Sequence, residues 1–132
     1  MDIKLDGIGI MVNDMTTMIR FYRDVLGFEI REPENTGNVY LIKDGTLFML
    51  YPRKDFEEFT SHSFCYVPEL NGHYEVALAV KNYAAVDIAY KEIIEKGGRP
   101  VVAPVTCPWG QRTCYIADPE GNLLEIGSVN IE

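Results

Sequence analysis

The stretch Pro108–Ser128, PWGQRTCYIADPEGNLLEIGS, reads as a hairpin: a strand at Arg112–Ala117, the turn DPEGN, and a strand at Asn122–Gly127. Its second strand carries one acid, Glu125, among Leu123, Leu124 and Ile126. A charge taken out of water without a partner is costly, so such an acid is paired, metal-bound or exposed in a cavity. What faces Glu125 therefore bears on function as much as on fold.

Working outward, the hairpin closes a series of elements that occurs twice. Upstream of it, EVALAV (75–80) reads as a strand, Asn82 as a helix cap, and Tyr83–Lys96 as a helix. Val86, Ala89, Tyr90, Ile93 and Ile94 share one face of that helix, Gly97-Gly98 ends it, and a strand follows near Val101–Ala103. The first half runs in the same order. GIGIMV (7–12) is a strand, and Asn13 and Asp14 are cap candidates. A helix covers about Met15–Leu26, with Met15, Met18, Ile19, Tyr22, Val25 and Leu26 on one face. Strands are expected at Phe28–Arg31, Asn38–Ile42 and Thr46–Tyr51, the last two joined over Lys43-Asp44-Gly45. Val12 matches Val80, Tyr22 matches Tyr90, and Gly45 matches Gly121, so duplication of a βαβββ module is the reading. The fold class is α+β, in one domain over 1–132. Module one spans about 5–52, a connector 53–74, and module two about 75–128. The connector carries Phe56, Phe59, Phe64 and Tyr66, too apolar for a flexible linker. Its aromatics are expected to pack over the sheet or against a partner subunit, a lid over a ligand being the alternative.

The chain has 132 residues, 47% hydrophobic and 24% charged, the composition of an ordinary globular domain. Twelve basic against twenty acidic residues give a net charge of −8, which argues against a nucleic-acid partner and is compatible with a cationic ligand. MDIKLDGIGIMV has neither a basic leader nor a long apolar run, so no membrane association is expected and the location expected is cytoplasmic. Cys65, Cys107 and Cys114 form no CxxC pair and read as free thiols. GIGIMV is no dinucleotide fingerprint, GGRP is no phosphate loop, and no serine sits in a nucleophile elbow.

Alternate strand residues face opposite sides of a sheet. Ile8, Ile10 and Val12 oppose Gly7, Gly9 and Met11; Val76, Leu78 and Val80 oppose Glu75, Ala77 and Ala79. The bulky sets need a helix over them, and the small sets leave room for a ligand. The same alternation groups Met49 with Tyr51, and Glu125 with Leu123 and Gly127. Glu125 and Glu75 then share the roomy face. They are either solvated strand-edge acids or a cavity floor, where paired acids raise a pKa or hold a cation. Parity carried back from Glu75 adds His73 at the rim.

At these residues the chain resembles the vicinal oxygen chelate superfamily, which includes glyoxalase I, ring-cleaving dioxygenases and bleomycin-resistance proteins. MVNDMTTMIRFYRDVLGFEI is similar to the family's opening strand, helix and Gly-Phe turn, and DPEGNLLEI to its closing hairpin. The resemblance implies paired βαβββ modules forming a cupped mixed sheet, in a homodimer. Metal-dependent members place ligands on the first and last strand of each module; here those positions read Gly7, Met49, Glu75 and Glu125. Glycine supplies no ligand and a thioether is a poor one for a hard divalent ion. No tightly held metal is therefore expected; zinc, nickel, manganese or iron, if bound, would use Glu75 and Glu125, with His73 as a further candidate. TLFML and PWGQR…DPEGN are closer to the bleomycin-resistance branch, which implies non-catalytic binding of a small molecule, with Trp109 and Tyr115 lining the groove beside Met49, Tyr51 and Gly7. The rival implied by the same family is a lyase or isomerase resembling glyoxalase I, with Glu75 or Glu125 as its catalytic base. A module serving only a partner protein is the third reading.

Overall fold

The computed structural model describes residues 1–132 and divides into two compact units, Met1–Tyr66 and Val67–Glu132. In the first unit β1 (Gly7–Val12) leads into α1 (Met15–Arg20), then β2 (Val39–Lys43), β3 (Thr46–Pro52) and α2 (Arg53–Thr60). The second holds β4 (Asn71–Ala79), α3 (Tyr83–Glu95), β5 (Arg99–Thr106), β6 (Arg112–Ala117) and β7 (Asn122–Ser128). Hydrogen bonding makes one sheet per unit, β1-β3-β2 and β4-β7-β6-β5, with β1–β3 and β4–β7 parallel and the other pairs antiparallel.

The registers carry the duplication. Gly7 pairs with Leu47 and Gly9 with Met49 in the first unit; Glu75 pairs with Leu123 and Ala77 with Glu125 in the second. Gly7 and Met49 thus occupy the places of Glu75 and Glu125. Both helices open on the caps the sequence indicates. Asp14 accepts from the Thr17 backbone N–H, and Asn82 from that of Ala85, satisfying a donor that a helix start leaves orphaned.

Differences from the expected elements have local causes. α1 continues over Phe21–Val25 as a wider π-type turn, shown by the Leu26 N–H donating to the Phe21 carbonyl. Gly27, at φ 75°, then reverses the chain, and the Phe28 N–H caps the Tyr22 carbonyl. Phe28–Arg31 is not a strand. The Phe28 donor is spent on the helix end and that of Ile30 on the Phe28 carbonyl, while both side chains stay buried. The first module is therefore βαββ by hydrogen bonding, and only the second is βαβββ. The connector contains a helix, α2, which was not expected, and β4 begins inside its last residues at Asn71.

Burial follows the alternation. Ile10 and Val12 are buried with Met18, Ile19 and Tyr22 of α1 and with Phe48 and Leu50 of β3. The Tyr22 ring lies 5.0 Å from Phe48 and 5.5 Å from Phe28, an aromatic cluster at the centre of the first unit. In the second unit Val76, Cys114, Ile116, Leu124 and Ile126 are buried with Val86 and Ile93 of α3. The opposite face of β4 leaves Glu75, Ala77 and Ala79 exposed.

Candidate functional site

The DPEGN turn sets the hairpin. Buried Asp118 accepts from the backbone N–H groups of Glu120 and Asn122 and from the Asn122 side chain. Gly121 has φ 84°, and a Cβ there would collide with the Glu69 carbonyl. With the turn so fixed, Tyr115 of β6 stands opposite Glu125 of β7. The Tyr115 hydroxyl donates to Glu125 Oε2 at 2.6 Å. Gln111 Nε2 donates to Glu125 Oε1 at 3.2 Å, and Trp109 Nε1 donates to Gln111 Oε1 at 3.0 Å.

Glu125 is thus half-buried with a donor on each carboxylate oxygen. Arg112 turns to α3, where its guanidinium grips Asp87 at 2.6 and 2.7 Å and also donates to Thr106. That grip holds the Asp87 carboxyl below its usual range. Tyr115 has its pKa pushed up, first by its hydrogen bond to Glu125, then by loss of water and by the charges of Glu125 and Glu75. Burial pushes the Cys114 thiol up to about 11, helped by the negative charges of Asp87 and Glu125.

The structure brings Glu125, Tyr115 and Trp109 into one hydrogen-bonded chain, with Glu75 close enough to act on Tyr115. His73 does not follow by parity, because the β4–β7 register shifts between Asn71 and Glu75; its ring is exposed. In the first unit Met49 and Tyr51 share the half-exposed face of β3. Tyr51 meets Phe56 edge-on at 6.0 Å, and Phe56 stacks on Phe64 at 5.3 Å, so connector aromatics do pack onto the first sheet. Gly7 is small for a reason besides ligand space: a Cβ there would lie 2.5 Å from the Leu47 carbonyl oxygen.

Sequence reasoning missed Gln111 and the role of Gly127. A Cβ on Gly127 would sit 2.9 Å from Gln111 Nε2, so this glycine makes the space in which the Gln111 amide reaches Glu125. A glycine on Glu125's own face, opposite the start of β6, was the available signal.

A divalent metal fits this donor set poorly. No group of three or more His, Cys, Asp or Glu side chains converges, and the Met49 thioether and Gly7 offer no oxygen or nitrogen donor. Both Glu125 oxygens already accept hydrogen bonds from protein groups.

Two α+β units, each opening strand–helix and joining its first and last strands in parallel, define a paired-module protein with a polar, aromatic-edged sheet face. The chain belongs to the Glyoxalase/Bleomycin resistance protein/Dioxygenase superfamily, whose family model matches residues 4–126. It is 29% identical over 126 residues to the uncharacterized protein YraH of Bacillus subtilis (strain 168), covering 93% of this chain and 96% of that protein. Among solved structures, a glyoxalase-related enzyme from Fulvimarina pelagi superposes with a TM-score of 0.81 at 19% identity, over 94% of this chain and 86% of that one. A lactoylglutathione lyase from Agrobacterium tumefaciens does so with a TM-score of 0.72 at 21% identity, over 94% and 92%. At these identities the likeness concerns the fold alone.

Proposed function

We propose that this chain is a small-molecule-binding protein of the superfamily, acting as one functional domain over 1–132, whose ligand lies against the Trp109–Glu125 face and is held without a resident metal. The observation that carries the reading is the hydrogen-bonded chain from Trp109 to Tyr115. It holds an indole that is 73% exposed two hydrogen bonds from a carboxylate, and the exposed Ala77 of β4 is the register partner of Glu125. An aromatic face attracts a cation, the negative potential of a nearby carboxylate favours one without a direct bond, and small neighbours admit a flat body. The net charge of −8 draws the same class of molecule. The ligand class is therefore a planar aromatic cation. Homodimerisation and a cytoplasmic location complete the proposal; no helix is long and apolar enough to cross a membrane.

A second reading has one observation in its favour. Glu125 and Glu75 both act on the Tyr115 phenol, an arrangement in which a carboxylate base stands beside a hydrogen-bond donor, as proton transfer in a lyase or isomerase requires.

Thermal unfolding with N-methylquinolinium and with neutral naphthalene tests the first reading. A ligand at a hundred times its Kd adds about 2.7 kcal/mol to stability. The cation should raise Tm by several degrees in native protein, also in the presence of EDTA, and much less in W109A and E125Q. Equal shifts with naphthalene would remove the charge argument. Stoichiometric zinc, nickel, manganese or iron in the purified protein would favour the enzymatic reading instead.

A further inference from the structure

We propose that Gln111 is a positioning residue that transmits the charge of Glu125 to the ring of Trp109, so that the carboxylate, two hydrogen bonds away, sets how the indole is held. The functional consequence rests on the face being the ligand site, while the coupling itself belongs to the ligand-free protein.

The chemistry of the two ends forces the direction of the chain. An indole N–H can only donate, and a carboxylate can only accept. The Gln111 amide between them therefore has one workable orientation: its oxygen takes the Trp109 Nε1 proton at 3.0 Å, and its nitrogen donates to Glu125 Oε1 at 3.2 Å. A neutral amide at 125 would still accept from the Gln111 nitrogen through its oxygen, but the charge that holds the Gln111 amide in place would be lost. Charge also strengthens the inner bond, since hydrogen bonds to an ionised acceptor are roughly twice as strong as neutral ones. Tyr115 anchors the far end through the other oxygen at 2.6 Å, so the carboxylate itself does not swing.

Two further observations point the same way. Gly127 leaves open the space that the Gln111 amide occupies, and a Cβ there would lie 2.9 Å from its nitrogen. The turn that bears Trp109 is itself tethered: the Cys107 N–H donates to the Gln111 carbonyl, and the Tyr83 hydroxyl at the start of α3 donates to the Gly110 carbonyl at 2.8 Å. With backbone and amide both fixed, the indole can be mostly exposed and still hold one orientation beside Glu125.

Trp109 is the only tryptophan, so its indole N–H gives a single, assignable NMR signal. The experiment records the shift of that signal and its exchange with water in ligand-free protein, for the native chain and for Q111L, E125Q, G127A and the double variant Q111E/E125Q. Q111L should move the signal and speed exchange about tenfold, the loss of one intramolecular hydrogen bond. E125Q should speed it about threefold, since the charge is removed while the shape is kept. G127A should act in the same direction by displacing the amide. The double variant exchanges acid and amide, restores a charged acceptor with the carboxylate at position 111 accepting from both neighbours, and should return exchange towards the native rate. Indifference of the indole to E125Q, or a double variant as unprotected as Q111L, overturns the proposal. If these signals behave as stated while N-methylquinolinium leaves the native protein unaffected, the coupling stands and the ligand assignment fails.

Discussion

Glu125 shows what one residue's place in a sequence reveals and what it conceals. An acid in an apolar strand, on the face of Glu75, could be read from alternation alone, whereas Tyr115 and Trp109 follow only from what the family resemblance implies. Its partners could not be read that way. Whether the acid stands solvated at the strand edge or shares a cavity floor with Glu75 depends on side-chain reach across β6, and there Tyr115 and Gln111 donate to it. The cysteines carry a prediction at the same scale. Cys65 is exposed, Cys107 is intermediate, and Cys114 is buried with its thiol pushed up to about 11. At pH 8 a disulfide reagent should modify Cys65 promptly, Cys107 more slowly, and Cys114 only on unfolding, because the thiolate is the reactive form. Equal native rates for Cys65 and Cys114 would contradict this burial. Because the folded thiol titrates above the unfolded one, its share of stability is complete below the unfolded value near 9 and is lost as pH rises through about 11.

At the scale of elements, the strand–helix openings and the closing hairpin were legible because each has a strong local signal: alternation, a capping Asp or Asn, a DPEGN turn. Phe28–Arg31 reads as a strand because its burial alternates, but its Phe28 N–H goes to the helix end at Tyr22 and its Ile30 N–H to the Phe28 carbonyl. α2 does not stand out in the sequence because its aromatics resemble loop anchors; Pro52, which ends β3 and sits at the N-cap, is the usable cue. The ion pair that ties α3 to β6 was invisible, since Asp87 and Arg112 are distant in sequence. Their two-pronged ion pair joins helix to strand with side chains 48% and 23% exposed. D87N should cost about 0.5–1 kcal/mol at pH 7, the range of a well-formed surface pair. The Asp87 carboxyl is held below its usual range, so this contribution is present above the unfolded carboxylate pKa and fades as pH falls through the folded one. Denaturant midpoints of native protein and D87N should therefore converge in acid; a constant gap down to pH 2 would assign the effect to helix propensity instead.

For the whole molecule, the resemblance to a family of paired modules was legible in the order of elements, and the family match confirms it over residues 4–126. A homodimer is expected from the resemblance, but a sequence does not show which apolar side chains remain uncovered to form it. In the single chain they are many: Tyr40 and Ile42 on β2, Phe59 on α2, Phe64 after it, Tyr74 on β4, and Val102 and Val105 on β5 stay exposed. Scattered apolar side chains on a surface need no explanation, but rows of them on strands do. β2, β4 and β5 each border a sheet, and an edge with unpaired backbone groups and apolar side chains invites pairing unless something covers it. A second copy would supply such cover, and interfaces are enriched in Tyr, Phe and Trp. Sedimentation velocity at micromolar concentration should therefore give twice the chain mass of 15.0 kDa. Ile42→Lys and Val105→Lys each place a charge on a sheet edge, and at least one should shift the protein to monomer while leaving far-UV circular dichroism unchanged. A native protein that sediments at a single chain's mass from low to high micromolar concentration would rule the dimer out.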